Sequence, residues 1–139
     1  MKRNATAVWK GTLKEGNGIL TTDSNVLDAA QYSFGTRFEQ GIGTNPEELI
    51  AAAHSGCFTM QLSAYLTEAG FEIESLETKC SIDFQDKNVV GSHLSVTGKV
   101  KEITAEDFQK WVKKAETTCP ISRLLDTKIT SEAILVGAL

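Results

Sequence analysis

Much that would assign this sequence quickly is missing from it. Only three cysteines and two prolines occur in 139 residues. No two cysteines share the C-x-x-C spacing of a structural zinc site, so no metal is expected. Gly41-Ile42-Gly43 precedes a helix, but no lysine follows where a phosphate loop needs one, so no nucleotide or other cofactor is expected. Basic residues are not in excess: 14 Lys and Arg face 18 Asp and Glu, scattered along the chain, which excludes a phosphate-backbone binder and with it a nucleic-acid partner. The most apolar segment, 45–70, is broken by Glu47, Glu48, His54, Gln61 and Glu68. It therefore falls short of the ~20 apolar residues that span a bilayer, and no membrane partner is expected. Met1 to Thr6 is charged but no apolar stretch follows, so a signal peptide is not expected and the location reads as cytoplasmic. Thiols are kept reduced there, which makes any disulfide catalytic rather than structural.

What is present reads as one α+β domain over 1–139. Ala5–Trp9 and Ile19–Thr22 flank a glycine-rich turn and predict a β-hairpin, with Gln31–Phe34 as a weaker third strand. A loop over 39–44 precedes a helix from Asn45 to Gly70: Asn45 suits the N-cap, Pro46 the first turn, Glu47 and Glu48 the positive end, and Gly70 the C-terminal stop. Glu48 stands three after Asn45, as in a capping box. Apolar residues cover nearly every direction around this helix, which predicts a long, buried central helix. Leu76, Thr78, Cys80, Ile82 and Phe84 alternate along one strand, and Val90, Leu94, Val96 and Val100 along the next, across a polar turn at 85–88. Thr104 caps an amphipathic helix through Phe108, Trp111, Val112 and Ala115. A short turn at Ile121–Leu125 and a strand over 128–136 complete antiparallel sheets packed on the helix. One small sheet covers one side of a helix, so the other side calls for the same helix of a second copy, in a homodimer.

Cys57 lies inside the apolar helix, and Cys119 stands before Pro120, where the backbone is held extended. A thiol reacts as thiolate, and burial alone disfavours that form, so a reactive Cys57 needs a cation. Its helix has no Lys or Arg between Asn45 and Gly70. Arg37, flanked by Phe34 and Phe38, is the best candidate, ahead of Arg123, and Glu47 is the carboxylate that would hold it. Ten helical residues, about 15 Å along the axis, separate Glu47 from Cys57. An antiparallel pair of helices would bring them together, with Arg37 and Glu47 from one copy and both cysteines from the other.

Thr36-Arg37-Phe38-Glu39 and Gly43-Thr44-Asn45-Pro46-Glu47-Glu48-Leu49-Ile50-Ala51-Ala52-Ala53-His54-Ser55-Gly56-Cys57-Phe58 together resemble the signature of the OsmC/Ohr family of hydroperoxide reductases, and Thr118-Cys119-Pro120-Ile121-Ser122 resembles its second cysteine motif. Glu-Glu-Leu-Ile, Ala-His and Cys-Pro-Ile-Ser favour the OsmC branch. The resemblance implies an intertwined homodimer of the OsmC-like fold with active sites shared between subunits. It implies a peroxidatic Cys57, a resolving Cys119, an activating Arg37 and its partner Glu47, with an intramolecular disulfide intermediate. It also implies an organic hydroperoxide substrate and an external dithiol reductant, a lipoylated protein or another thiol. Phe38, Phe58 and Ile121 are the candidate substrate contacts. A non-enzymatic small-ligand or partner-binding protein of the same fold is the alternative. His54, three residues before Cys57, reads as a satisfied polar residue near the site, Glu48 as a capping and interface residue, and Cys80 as core packing.

Overall fold

The computed structural model describes residues 1–39 and 41–137; Gln40, Ala138 and Leu139 lie outside it. In chain order the elements are β1 (Ala5–Lys10), β2 (Asn17–Thr22), β3 (Ala30–Tyr32), α1 (Phe34–Phe38), α2 (Pro46–Glu68), β4 (Ile73–Gln85), β5 (Asn88–Val100), α3 (Ala105–Thr118), α4 (Pro120–Leu124) and β6 (Ile129–Val136). The backbone divides into two units, Met1–Leu49 and Ile50–Leu139.

In the first unit β1, β2 and β3 form an antiparallel meander. The sequence pattern extends β3 through Phe34, but the strand stops at Tyr32 and a short helix follows. Ser33 causes the change. Its Oγ accepts from the Thr36 N–H at 3.4 Å, and the Thr36 Oγ1 accepts from the Ser33 N–H at 2.7 Å. This is a reciprocal capping box with Thr in place of the usual Glu or Gln. Among the described residues of this unit only Gly18 and Thr36 are buried, while Val8, Leu13, Ile19, Val26, Phe38 and Ile42 are exposed.

Helix α2 starts as its sequence predicts: the Asn45 Oδ1 accepts from the Glu48 N–H at 2.7 Å. The capping box is not closed, because the Glu48 carboxylate accepts from the Thr44 Oγ1 instead. Gly70, at φ +89°, ends the helix. Its N–H donates to the Thr67 carbonyl and that of Phe71 to the Leu66 carbonyl, the paired bonds of a Schellman stop. The helix is not buried all round. His54, Phe58, Leu62 and Leu66 make one buried stripe at four-residue spacing, while Ala52, Ala53, Gly56, Met60 and Ala64 are exposed.

In the second unit β4 and β5 form a long hairpin whose two central turn residues, Asp86 and Lys87, both have positive φ, as a type I′ turn requires. Ser92, Leu94, Val96, Gly98 and Val100 are buried at every second position of β5. The expectation of purely antiparallel sheets is corrected here, because β6 pairs parallel to β5. Parallel neighbours need a crossover, and α3 with α4 supplies it. Phe58, Leu62 and Leu66 of α2 share one core with Leu94, Val96 and Val100 of β5 and Phe108, Val112 and Ala115 of α3. The Phe108 ring occupies the space where a side chain at Gly98 would stand. Gly98→Ala is therefore expected to lower stability by about 1–3 kcal/mol, the usual cost of overpacking, as read by urea unfolding; an unchanged midpoint would contradict this packing.

Candidate functional site

Cys119 closes α3 and opens α4. Its backbone is extended (φ −61°, ψ 137°), as the residue before Pro120 must be, and the side chain has no exposed surface. Its Sγ accepts from the Ser122 N–H at 3.3 Å, so the sulfur serves as the cap of α4. Cys57 lies on α2 beside the buried stripe and is half-buried. Cys119 and the backbone of Ile121 lie close enough to act on its thiol. Burial pushes the Cys57 thiol above the ordinary value, the Ile121 N–H pulls it down, and Cys119 pushes it up again by hydrogen bond and charge. Among the described residues, no cation is one of the groups that shift it. Cys57 lines a groove of about 530 Å³ whose walls are mostly apolar, with Ala53, Met60, Ala64, Pro120 and Ile121, whereas the Cys119 side chain stays buried. Ile121, a candidate substrate contact, lines this groove. Phe58 does not: it is fully buried in the core, because it falls on the inward stripe one residue beyond Cys57.

Behind the sulfurs runs a buried polar chain. His54 has no exposed surface, and its two ring nitrogens meet two serines, Nδ1 to the Ser92 Oγ at 2.6 Å and Nε2 to the Ser122 Oγ at 2.7 Å. The Ser122 Oγ is 3.3 Å from the Cys119 Sγ, and the Ser92 Oγ is 3.2 Å from the Cys80 Sγ. Cys80 packs against the core, as its strand pattern predicts, and also terminates this chain. Sequence reasoning did not find Ser92. A serine at the end of the alternating run Ser92-Leu94-Val96 was the available signal, since a buried hydroxyl needs a partner.

Arg37 and Glu47 meet in the first unit. The Arg37 Nε and Nη2 donate to the Glu47 Oε1 at 3.1 and 3.0 Å. The Glu47 Oε2 is buried and has no hydrogen-bond partner among the described residues. Helix α1, which the sequence pattern did not reveal, orients Arg37 and stacks Phe34 on Phe38 with ring centroids 4.8 Å apart. Arg37 also lies 5.4 Å from the Phe38 ring, and both border a groove of about 320 Å³ with Trp9, Tyr32, Phe34 and Pro46. Phe38 thus borders an apolar groove, as a substrate contact would. Arg123 is exposed on α4.

The family model described as OsmC-like protein matches residues 39–133, which include both cysteines. The chain belongs to this family. It is 42% identical over 128 residues to Peroxiredoxin OsmC of Escherichia coli strain K12, covering 89% of this chain and 90% of that protein. The Organic hydroperoxide resistance protein OhrB of Bacillus subtilis strain 168 is 34% identical over 109 residues, 76% of this chain and 79% of that one. An OsmC-like protein from Vibrio cholerae shares the fold at a TM-score of 0.75 and 17% identity, covering 96% and 99% of the two chains. The crystal structure of the Bacillus subtilis OhrB superposes at a TM-score of 0.66 with 25% identity, over 96% and 98%. No helix of this OsmC-like chain is long and apolar enough to cross a membrane, among the described residues.

Burial holds the His54 imidazole below the ordinary histidine value. Between that lowered value and about 6.5 the unfolded chain binds a proton that the folded chain refuses. Stability is therefore expected to fall as pH drops below about 6.5, by up to about 1.4 kcal/mol per pH unit. Thermal melts from pH 7.5 to 5.5 should show a steeper acid loss in the native protein than in His54→Gln; equal slopes would assign the loss to other groups.

Proposed function

We propose that the protein is a thiol peroxidase that reduces organic hydroperoxides, and hydrogen peroxide more weakly, through Cys57 and Cys119. The observation that carries this reading is Cys57 lining an apolar groove, with the buried Cys119 close enough to act on its thiol. The Cys57 thiolate attacks the outer peroxide oxygen, the O–O bond breaks, and the alcohol leaves after taking a proton. Cys57 is then a sulfenic acid. Cys119 attacks this sulfur, forming the disulfide and releasing water. An external dithiol, a lipoylated protein or another thiol, exchanges with the disulfide and restores both thiols. The apolar groove suits a peroxide with a hydrocarbon tail.

The raised Cys57 thiol calls for a cation, and Arg37 held by Glu47 would supply it from a second copy of the chain. Three features support such a homodimer with shared sites. Ala53, Gly56, Met60 and Ala64 leave an apolar face of α2 open. No large apolar side chain of the first unit is buried. The buried Glu47 Oε2 lacks the partner that a buried carboxylate requires. Across such an interface the guanidinium would favour the Cys57 thiolate directly.

The test is a coupled assay with cumene hydroperoxide and a dithiol. The native protein should turn over, whereas Cys57→Ser and Arg37→Ala should each lose nearly all activity. Co-refolded as a mixture, these two variants should recover about a quarter of the native rate, because statistical heterodimers each hold one intact site. Absence of turnover by the native protein, at rates above free dithiol, would favour a binding protein of the same fold. A mixture as inactive as its components would place the arginine and cysteines of each site in one chain.

A further inference from the structure

The peroxidase reading leaves one proton unassigned. Cys119 is fully buried, and a thiol at neutral pH is mostly protonated, so its proton must leave as its sulfur attacks Cys57. Solvent does not reach it. The only hydroxyl on its sulfur among the described residues is that of Ser122 at 3.3 Å, and the Ser122 Oγ in turn lies 2.7 Å from the His54 Nε2. We propose that Ser122 and His54 form a proton relay that accepts the Cys119 thiol proton during disulfide formation. The proposal rests on the peroxidase reading and deepens it.

The hydrogen bonds can run in either direction along this chain, and the relay uses the one that starts at Cys119. The Cys119 S–H donates to the Ser122 Oγ, the Ser122 O–H donates to the His54 Nε2, the His54 Nδ1–H donates to the Ser92 Oγ, and the Ser92 O–H points to the Cys80 Sγ. In that direction Ser92 accepts from the Nδ1–H and leaves Nε2 to accept from Ser122. In the step, the Cys119 S–H bond breaks and its proton passes to the Ser122 Oγ, while the hydroxyl proton of Ser122 passes to His54. The Cys119 electron pair forms the S–S bond to Cys57. The S–O bond of the sulfenic acid breaks, and its electron pair leaves as hydroxide. The proton on the imidazole returns to that hydroxide, giving water. Cys119 is oxidised and Cys57 reduced to the disulfide level, with no outside oxidant. The backbone N–H of Ser122, at 3.3 Å, remains to steady the transient thiolate.

The groups that face the imidazole are Ser92 from β5, Ser122 from α4 and Cys80 from β4, the last 3.9 Å from Nδ1. None carries a permanent charge. Burial keeps the ring neutral to lower pH than an exposed histidine, so the acceptor stays available into mildly acidic conditions. His54 and Ser122 act through Cys119 and are positioning residues.

The experiment oxidises reduced protein with one equivalent of cumene hydroperoxide and times two events in a quench series: loss of the Cys57 thiol, and formation of the disulfide against dimedone capture of the sulfenic acid. Ser122→Ala removes the hydroxyl and keeps the backbone N–H. It should slow disulfide formation about a hundredfold, the low end of what a positioned acid or base contributes, and shift capture towards the dimedone adduct. The acid limb of the disulfide rate should lie below about pH 6.5 in the native protein and move to higher pH in Ser122→Ala. Ser122→Thr, which restores the hydroxyl, should recover the rate. His54→Gln keeps two hydrogen-bonding ends without a basic nitrogen and should repeat the slowing, which covers the case of an unfolded Ser122→Ala. Equal disulfide rates in Ser122→Ala and native protein overturn the relay, as does an Ala-like rate and pH profile in Ser122→Thr. A native protein whose Cys57 is not oxidised at all overturns the peroxidase reading instead.

Discussion

A histidine with no exposed surface must be satisfied at both nitrogens, and much of the second unit is arranged to do so. The Nδ1 of His54 reaches β5 through Ser92, and Nε2 reaches α4 through Ser122. Leaving either nitrogen unpaired in the core would cost about 1–3 kcal/mol, so helix, strand and short helix are tied to one register. Cys57 is three residues further along the same helix, and Cys119 stands three residues before Ser122. The clamp that satisfies the imidazole is thus also what sets the two sulfurs against each other. Phe58, Leu62 and Leu66 continue the same stripe and supply the apolar burial that makes the clamp affordable.

Reactivity and burial pull in opposite directions at this pair. Cys119 is held out of water by its core neighbours, and Cys57 is half-buried with its thiol pushed up. A fold that stopped here would have two well-packed, sluggish thiols. In the proposed homodimer the missing charge would come from Arg37, which Glu47 grips through a single oxygen, leaving the other oxygen buried and unsatisfied. An open apolar face on one element, a unit without its own apolar core and an orphaned carboxylate oxygen are the three features for which the proposed homodimer would account.

Local chemistry made most of the fold legible in the sequence. Asn45, Pro46 and Gly70 set the ends of α2 through capping geometry that depends on few residues, and the two-residue alternation in β4 and β5 set the hairpin. The parallel placement of β6 was not legible, because strand direction depends on where a crossover returns the chain and not on side-chain period. Helix α1 was missed because Ser33 and Thr36 form an unusual capping box in a stretch whose aromatics favour a strand. At the site, the cysteines, Arg37 and Glu47 stood out by residue type. Phe58 was assigned to the substrate although the four-residue spacing from His54 to Leu66 places it inward. The serines around His54 carried little signal, because a hydroxyl acquires meaning only from the distant segment that it meets.

The claim on which the account rests is that Cys57 and Cys119 react as a pair. Mass spectrometry of tryptic peptides after one equivalent of hydroperoxide, with free thiols blocked by alkylation, tests it most directly. The expected product is a disulfide joining Cys57 to Cys119 within one chain, with Cys80 alkylated. A disulfide from Cys57 to Cys80, or a Cys57 carried on to sulfinic acid while Cys119 is recovered as the alkylated thiol, would contradict it.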